Sequence, residues 1–464
     1  MSTLQAGFAR TNITPMRNIA ISGYFKPRFC TGVLDDLEVN ALALEKDGVT
    51  MLMLVADLCY FTVGIADRCR KAVSEATGVP FEAVFLSATH THTGPYVESC
   101  SEGNEDEEGN KFDPAYIQKL IDEYDDFLEH RVVDAAKEAI EDLKPAKMGF
   151  GVSHAKNIAF VRRYIMKDGS IRTNPGVLNP DIVRPVGEID DAVNVLRFDR
   201  EGAETIVLAN FGCHPDVVGG SKVSADWPAV FRRQFEKTVD NTKCLFFNGA
   251  EGDINHVNVF PTAGDFNDMF NDFDGVSRGY GHARHMGRVV AGAVLQVYDK
   301  VEYVDVDRIG FVQTTVNIPT QMPSSIDDID VATAHKYKDL HEAGKDAEIP
   351  YNAMMLTTIV AEALRICRFE NGPEYIPMSL TAFKIGDVAF VGIPGEPFNG
   401  VSKGLKVAEG WKMVCPVCLT NGSTGYFPMQ DSYEEGGYEA RSSEFKAGVA
   451  ELIIEEGRKL MEKV

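Results

Sequence analysis

The chain has 464 residues, 44% of them hydrophobic, enough for a sizeable core in one large or two ordinary domains. That content argues against disorder, and no apolar stretch reaches the length of a bilayer span. The formal net charge of −23 argues against nucleic acid and anionic membranes as partners, because both repel an acidic surface.

Taken in chain order, Met1 to Arg10 lacks the basic start and apolar stretch of a secretory signal, so either the sequence starts after one or the protein stays in the cytoplasm. Nine cysteines, an odd number, agree with a reducing compartment. Apolar runs predict strands at Val39–Leu44, Thr50–Ala56, Ala83–Leu86, Met148–Val152, Val193–Phe198, Ile206–Phe211 and Lys243–Phe247. Further strands are expected at Gly310–Ile318, Met378–Ile385 and Val388–Ile393, the last two as a hairpin across Gly386-Asp387. Helical spacing covers Val63–Glu75, Pro114–Leu143, Trp227–Thr238, Tyr280–Tyr298, Asp330–Ala343 and Ser442–Lys463. The order is not a strict strand–helix alternation. It fits an α/β fold in which a large mixed sheet, parallel and antiparallel, is covered by helices. No repeat, low-complexity tract or linker divides residues 1–464, so one catalytic domain is expected, its last third packing as a subdomain at most.

Acidic patches at Glu102–Glu108, Asp122–Asp126, Asp265–Asp274 and Glu434-Glu435 read as solvated faces. Glu105-Asp-Glu-Glu108 does not have the spacing of an EF-hand loop. Cys415-Pro-Val-Cys418 has redox or zinc-knuckle spacing but lies in an apolar run without a second pair, so it reads as structural.

Four segments carry chemistry. Ser87-Ala-Thr-His-Thr-His-Thr-Gly-Pro95 puts His90 and His92 two residues apart at a strand end, where both can face one site. Neutral imidazole is a common zinc ligand, and loops at strand ends are where α/β enzymes collect their chemistry. The same grammar, an apolar strand, a turn, then His, Asp or Glu, recurs in Asn210-Phe-Gly-Cys-His-Pro215, Phe246-Phe-Asn-Gly-Ala-Glu-Gly-Asp-Ile-Asn255 and Val391-Gly-Ile-Pro-Gly-Glu-Pro397.

With Gly7-Phe-Ala-Arg-Thr-Asn-Ile-Thr-Pro15 and Ser22-Gly-Tyr24 ahead of them, these blocks together resemble the catalytic domain of the neutral/alkaline, non-lysosomal ceramidase family over nearly the whole chain. Members of that family hold one zinc with two His, one Glu and one Tyr and cleave the amide of N-acylsphingosine. They also carry an immunoglobulin-like C-terminal domain; here the chain ends in an amphipathic helix soon after the last motif, so that domain is expected to be absent. The resemblance implies His90, His214 and Glu396 as metal ligands. It implies as the fourth a Tyr in a Gly-Tyr step, Tyr426 of Thr424-Gly-Tyr-Phe427, with Tyr433 and Tyr438 as fallbacks.

Weaker warrants attach to other polar residues. His92 either orients substrate or donates a proton, or makes a supporting hydrogen bond. Asp226 of Ser224-Ala-Asp-Trp227 matches a family Ser-Asp step and is expected to cap a helix that has Pro228 in its first turn. Arg162 and Arg163 match a family Asn-Arg step and are candidates to reach substrate. They form a basic set with Arg172 and Arg184, whose plain alternative is surface pairing.

The pattern breaks where the family has a nucleophilic serine: this chain has Asn255, and an amide cannot serve as that oxygen nucleophile. Asn255 retains a donor for a developing oxyanion. The expected nucleophile is then a zinc-activated water, with His92, His256 or an acid as general base. No helix-like run pairs an apolar face with basic flanks for a bilayer, so stable membrane association is not expected. The expectation is a zinc-dependent amidohydrolase, cytoplasmic, acting on a small soluble substrate, anionic ones included; homo-oligomerisation stays open. A true ceramidase, a zinc Lewis-acid lyase or isomerase, and a non-catalytic metal-containing binding protein are the alternatives.

Overall fold

The computed structural model describes residues 3–15, 18–100, 105–106, 108–267 and 279–464. The acidic patches at Glu102–Glu108 and Asp265–Asp274 lie partly outside them.

The first three strands are β1 (Gln5–Asn12), β2 (Glu38–Lys46) and β3 (Val49–Ala56), each antiparallel to the next. Helix α1 (Val63–Thr77) then crosses over to β4 (Val84–Ala88), which lies parallel to β3. Thr62 caps α1 by accepting from the Ile65 amide, and Gly78, at φ 76, ends it in the left-handed conformation. Helix α2 (Pro114–Glu141) packs back on α1, β1 and β2, started by an Asp113 cap and a proline at its first position.

The same order follows at once. Strands β5 (Lys144–His154), β6 (Ala192–Arg200) and β7 (Thr205–Phe211) are antiparallel, α3 (Asp226–Thr238) crosses to a parallel β8 (Thr242–Asn248), and α4 (Tyr280–Tyr298) packs back. It occurs a third time. Strands β9 (Ile309–Pro319), β10 (Tyr375–Ile385) and β11 (Val388–Gly392) are antiparallel, α7 (Asn399–Lys406) crosses to a parallel β12 (Met413–Val417), and α8 (Val449–Lys463) packs back. Between β9 and β10 lie two further helices, α5 (Val331–Glu342) and α6 (Ala353–Phe369). Three topological repeats therefore build the chain, although no sequence repeat is visible.

Antiparallel pairing of β1 with β5 joins the first two repeats into a nine-stranded mixed sheet, with Glu302–Val304 as the ninth strand on β5. The third repeat forms a separate four-stranded sheet. Strand periodicity explains how the layers meet. Ala41, Ala43, Leu52 and Leu54 point to α1 and α2, whereas Leu42, Leu44, Met51 and Met53 point the other way. There they meet Phe198 and Phe247 of the second repeat and Phe383, Phe390 and Val417 of the third. The centre is thus a sheet-on-sheet core, and helices cover the outer faces. Strands buried on both faces read as continuous apolar runs rather than alternations.

The sequence expectation of a large mixed sheet covered by helices holds, as does the hairpin across Gly386-Asp387. Three local readings change. β1 and α6 were not expected, and the helix expected over Ser442–Lys463 is a short turn, Tyr438–Ser442, followed by a break and α8. Cys415 and Cys418 are buried free thiols on and beside β12. Among the described residues no helix is long and apolar enough to cross a membrane.

Candidate metal centre

In each repeat the third strand and the strand after the crossover run parallel, so their C-terminal ends open on one side. Hydrogen bonds tie the three pairs of ends together. Asn248 donates to the Thr89 carbonyl at 3.1 Å, Cys418 N to the Asn248 carbonyl at 3.1 Å, and Asn421 N to the Leu86 carbonyl at 2.7 Å. The loops beyond these ends meet at one buried point.

His90 follows β4 with φ 77, a left-handed conformation that a non-glycine residue holds only when its surroundings demand it. Its Nδ1 lies 2.8 Å from the Cys59 carbonyl. His214 follows β7, and its Nδ1 lies 2.8 Å from the Glu251 carbonyl. A carbonyl can only accept, so both Nδ1 atoms carry a proton and both Nε2 atoms face inward, the atoms a metal would take. Glu396, beyond β11, places Oε2 3.4 Å from His90 Nε2 and 3.2 Å from His214 Nε2. Burial alone raises the Glu396 carboxyl, but the two imidazoles outweigh it and hold it well below the usual range. Burial, then Arg162, brings His214 down to about 4.

Tyr426 is the register partner of Glu396 in a short parallel bridge. Its ring lies nearly parallel to His214, centroids 6.5 Å apart, with the Arg162 guanidinium 5.5 Å from its face. Of the fallback tyrosines, Tyr433 is turned away, its hydroxyl donating to the Phe445 carbonyl, whereas Tyr438 packs 5.6 Å from Tyr426. His92 faces the same pocket: its Nε2 is 3.2 Å from that of His90, and its Nδ1 is 3.6 Å from Asp216.

Arg162 and Arg163 project to opposite sides of their extended segment. Arg162 Nη1 lies 3.4 Å from His214 Nε2, and its other donors bind Glu439 at 2.6 Å and the Gly252 carbonyl at 2.7 Å. Arg163 is instead committed to Ser432, Gly436 and Glu435. Arg172 is exposed and paired with Asp168 at 3.0 Å. Asn255 lies on a two-residue bridge with Phe160 and donates to Asn174 at 2.9 Å, while its oxygen accepts from Val257 N. Asp226 is the first residue of α3 rather than its cap, and its carboxylate accepts from Val217, Val218 and Trp227.

Sequence reasoning passed over Glu251. His90, His214, Glu251 and Glu396 each offer a ligand atom within 4.8 Å of the others, and all four side chains are buried. The only signal was its place in the polar turn Gly249-Ala-Glu-Gly-Asp253. Two glycines make the packing possible. A Cβ on Gly252 would sit 2.5 Å from the Glu396 carbonyl oxygen, and one on Gly23, whose φ is 109, would sit 2.8 Å from His92 Cα.

The walls come from the long insertions after the first strand of each repeat. β1, β5 and β9 point the same way as the third strands, so residues 13–37, 155–191 and 320–374 all leave on the site side. Tyr24 of the first donates to Asp216 at 3.1 Å; Phe25 packs edge-on against His341 of the third, centroids 6.2 Å apart, and against Tyr438 at 6.4 Å. Arg162 comes from the second.

This frame and this cluster define an α/β protein with a strand-end site suited to a divalent metal. No protein-family model and no curated protein sequence matches the chain. Solved structures do. A neutral ceramidase from Pseudomonas aeruginosa matches with a TM-score of 0.71 and 16% identity over 99% of this chain and 74% of the ceramidase chain. A ceramidase complexed with C2 matches with a TM-score of 0.69 and 16% identity over 100% and 76% of the two chains. The chain has the ceramidase-like catalytic fold.

Proposed function

We propose that the chain is a zinc-dependent hydrolase that cleaves an amide, or a related acyl bond, in a small soluble substrate in the cytoplasm. One observation carries this reading: two buried imidazoles, each locked by a backbone carbonyl, present Nε2 to a buried carboxylate oxygen that lacks a well-aligned hydrogen bond. Such a donor set crowds two imidazole nitrogens against one buried carboxylate oxygen, and a divalent cation satisfies all of them. His90, His214 and Glu396 hold the metal, with Tyr426 beside them. Bound there, zinc supplies Lewis acidity, lowering the pKa of a water and polarising an acyl carbonyl.

The chain's own residues do the rest. Burial first, and then the other two imidazoles, hold His92 well below its ordinary pKa, so it is a neutral base within reach of the reacting centre. Arg162 fixes Tyr426 and the Gly252 carbonyl and keeps positive charge beside His214. Asn255 spends one amide N–H on Asn174 and keeps the second for a developing oxyanion. The fold of the neutral ceramidases supports acyl-bond hydrolysis; Asn255 in place of a hydroxyl supports a route without an acyl-enzyme.

The test is metal content with a substrate screen. The purified chain is expected to carry about one zinc, and His214→Ala to lose it, since a site stripped of a ligand binds far less tightly. The screen sets soluble amides, esters and N-acyl amino sugars against micellar ceramide. Ceramide turned over faster than every soluble compound would replace the soluble-substrate reading with a true ceramidase.

A further inference from the structure

We propose that Glu251 is a ligand of the same metal, so that the site pairs two imidazoles with two carboxylates. The inference rests on the metal-site reading above and deepens it. Three independent observations support it. Glu251 is fully buried, and neither of its carboxylate oxygens makes a well-formed hydrogen bond; the Cys418 thiol beside it is only a weak donor. A carboxylate in that position is costly unless a cation meets it. Secondly, the side chain is held at the cluster by its own backbone: the Glu251 carbonyl takes the His214 Nδ1 proton, and the next residue, Gly252, donates to the Pro397 carbonyl at 2.9 Å. The loop is thereby pressed onto the residues that present Glu396, at a distance only glycine permits.

The third observation is topological. Beyond the third strand of each repeat stand Cys59, His214 and Glu396; beyond the crossover-paired strand stand His90, Glu251 and, further along its loop, Tyr426. Glu251 therefore occupies in the second repeat the place His90 occupies in the first. Two carboxylates also balance the charge of a divalent ion without calling on the phenol of Tyr426, which is left to Arg162. The hardened donor set admits manganese and iron as well as zinc.

The experiment is zinc affinity by chelator competition, on the full chain and on Glu251→Gln, a variant of the same shape. A ligand's loss should weaken zinc by at least about 100-fold, the upper end of what losing a mere supporting partner costs. Equal affinity in the two proteins overturns the inference and leaves the metal-site reading standing; an unmodified chain that fails to bind added zinc overturns both. Should Glu251→Gln fail to fold, zinc-loaded crystals of the unmodified chain decide. A Glu251 oxygen about 2.0–2.2 Å from the metal supports the proposal. A carboxylate beyond about 3 Å overturns it, because no zinc–oxygen bond is that long.

Discussion

At the scale of single residues, the local partners of a side chain separate the groups that serve the site from those that hold it up. Arg162 and Arg163 are neighbours in sequence and both are buried, yet only Arg162 reaches His214. Extended backbone sends successive side chains to opposite faces, so a pair recognised together divides its labour. Asn255 is the residue whose role is open to the sharpest measurement. Asn255→Ala should lower turnover by about 100- to 1,000-fold, the usual cost of one oxyanion donor, with zinc content unchanged. Unchanged turnover would confine Asn255 to bridging Asn174 and Val257. The histidines and Glu396 were legible because their motifs are short and sit at strand ends. Glu251 was not, because nothing in a linear sequence says that its oxygens lack well-formed hydrogen bonds.

At the scale of elements, buried asparagines tie the strand ends together, Asn248 among them. Asn248 ends β8; its side chain donates to Thr89 of the first repeat and accepts from Cys213 N, and its carbonyl accepts from Cys418 N of the third repeat. Asn248→Ala strands a buried carbonyl and a buried amide, each worth about 1–3 kcal/mol. A loss of about 2–5 kcal/mol in urea unfolding is expected, together with weaker zinc binding because the ligand loops shift. If stability falls by less than about 1 kcal/mol, the tie is not structural. Strands of the central core were legible because burial on both faces leaves unbroken apolar runs. β1 was hidden because polar Arg10, Thr11 and Asn12 interrupt its run. α6, Ala353 to Phe369, was not legible as a separate helix although it is rich in helix formers. The break before α8 ends at Gly448, which stands at the helix start with φ 97.

At the scale of the molecule, three repeats converge on one centre, each giving two strand ends and one insertion. The repetition was illegible in the sequence because the insertions 13–37, 155–191 and 320–374 differ in length and content, so no fixed period survives. The ligands belong to the strand-end frame and the walls to the insertions, which predicts that the two can be altered separately. Phe25→Ala removes a wall contact with His341 and Tyr438 without touching a ligand. Its expected effect is a changed ranking of substrates in a kcat/KM panel at constant zinc content; an unchanged ranking would place substrate elsewhere. This separation has a consequence for descent. A lineage can lengthen, trim or exchange any insertion while the ends that carry the candidate metal site stay fixed, so new specificities need not disturb that site. Relatives built this way drift apart fastest where they touch their substrates, and overall sequence identity then says little about shared chemistry and still less about a shared substrate.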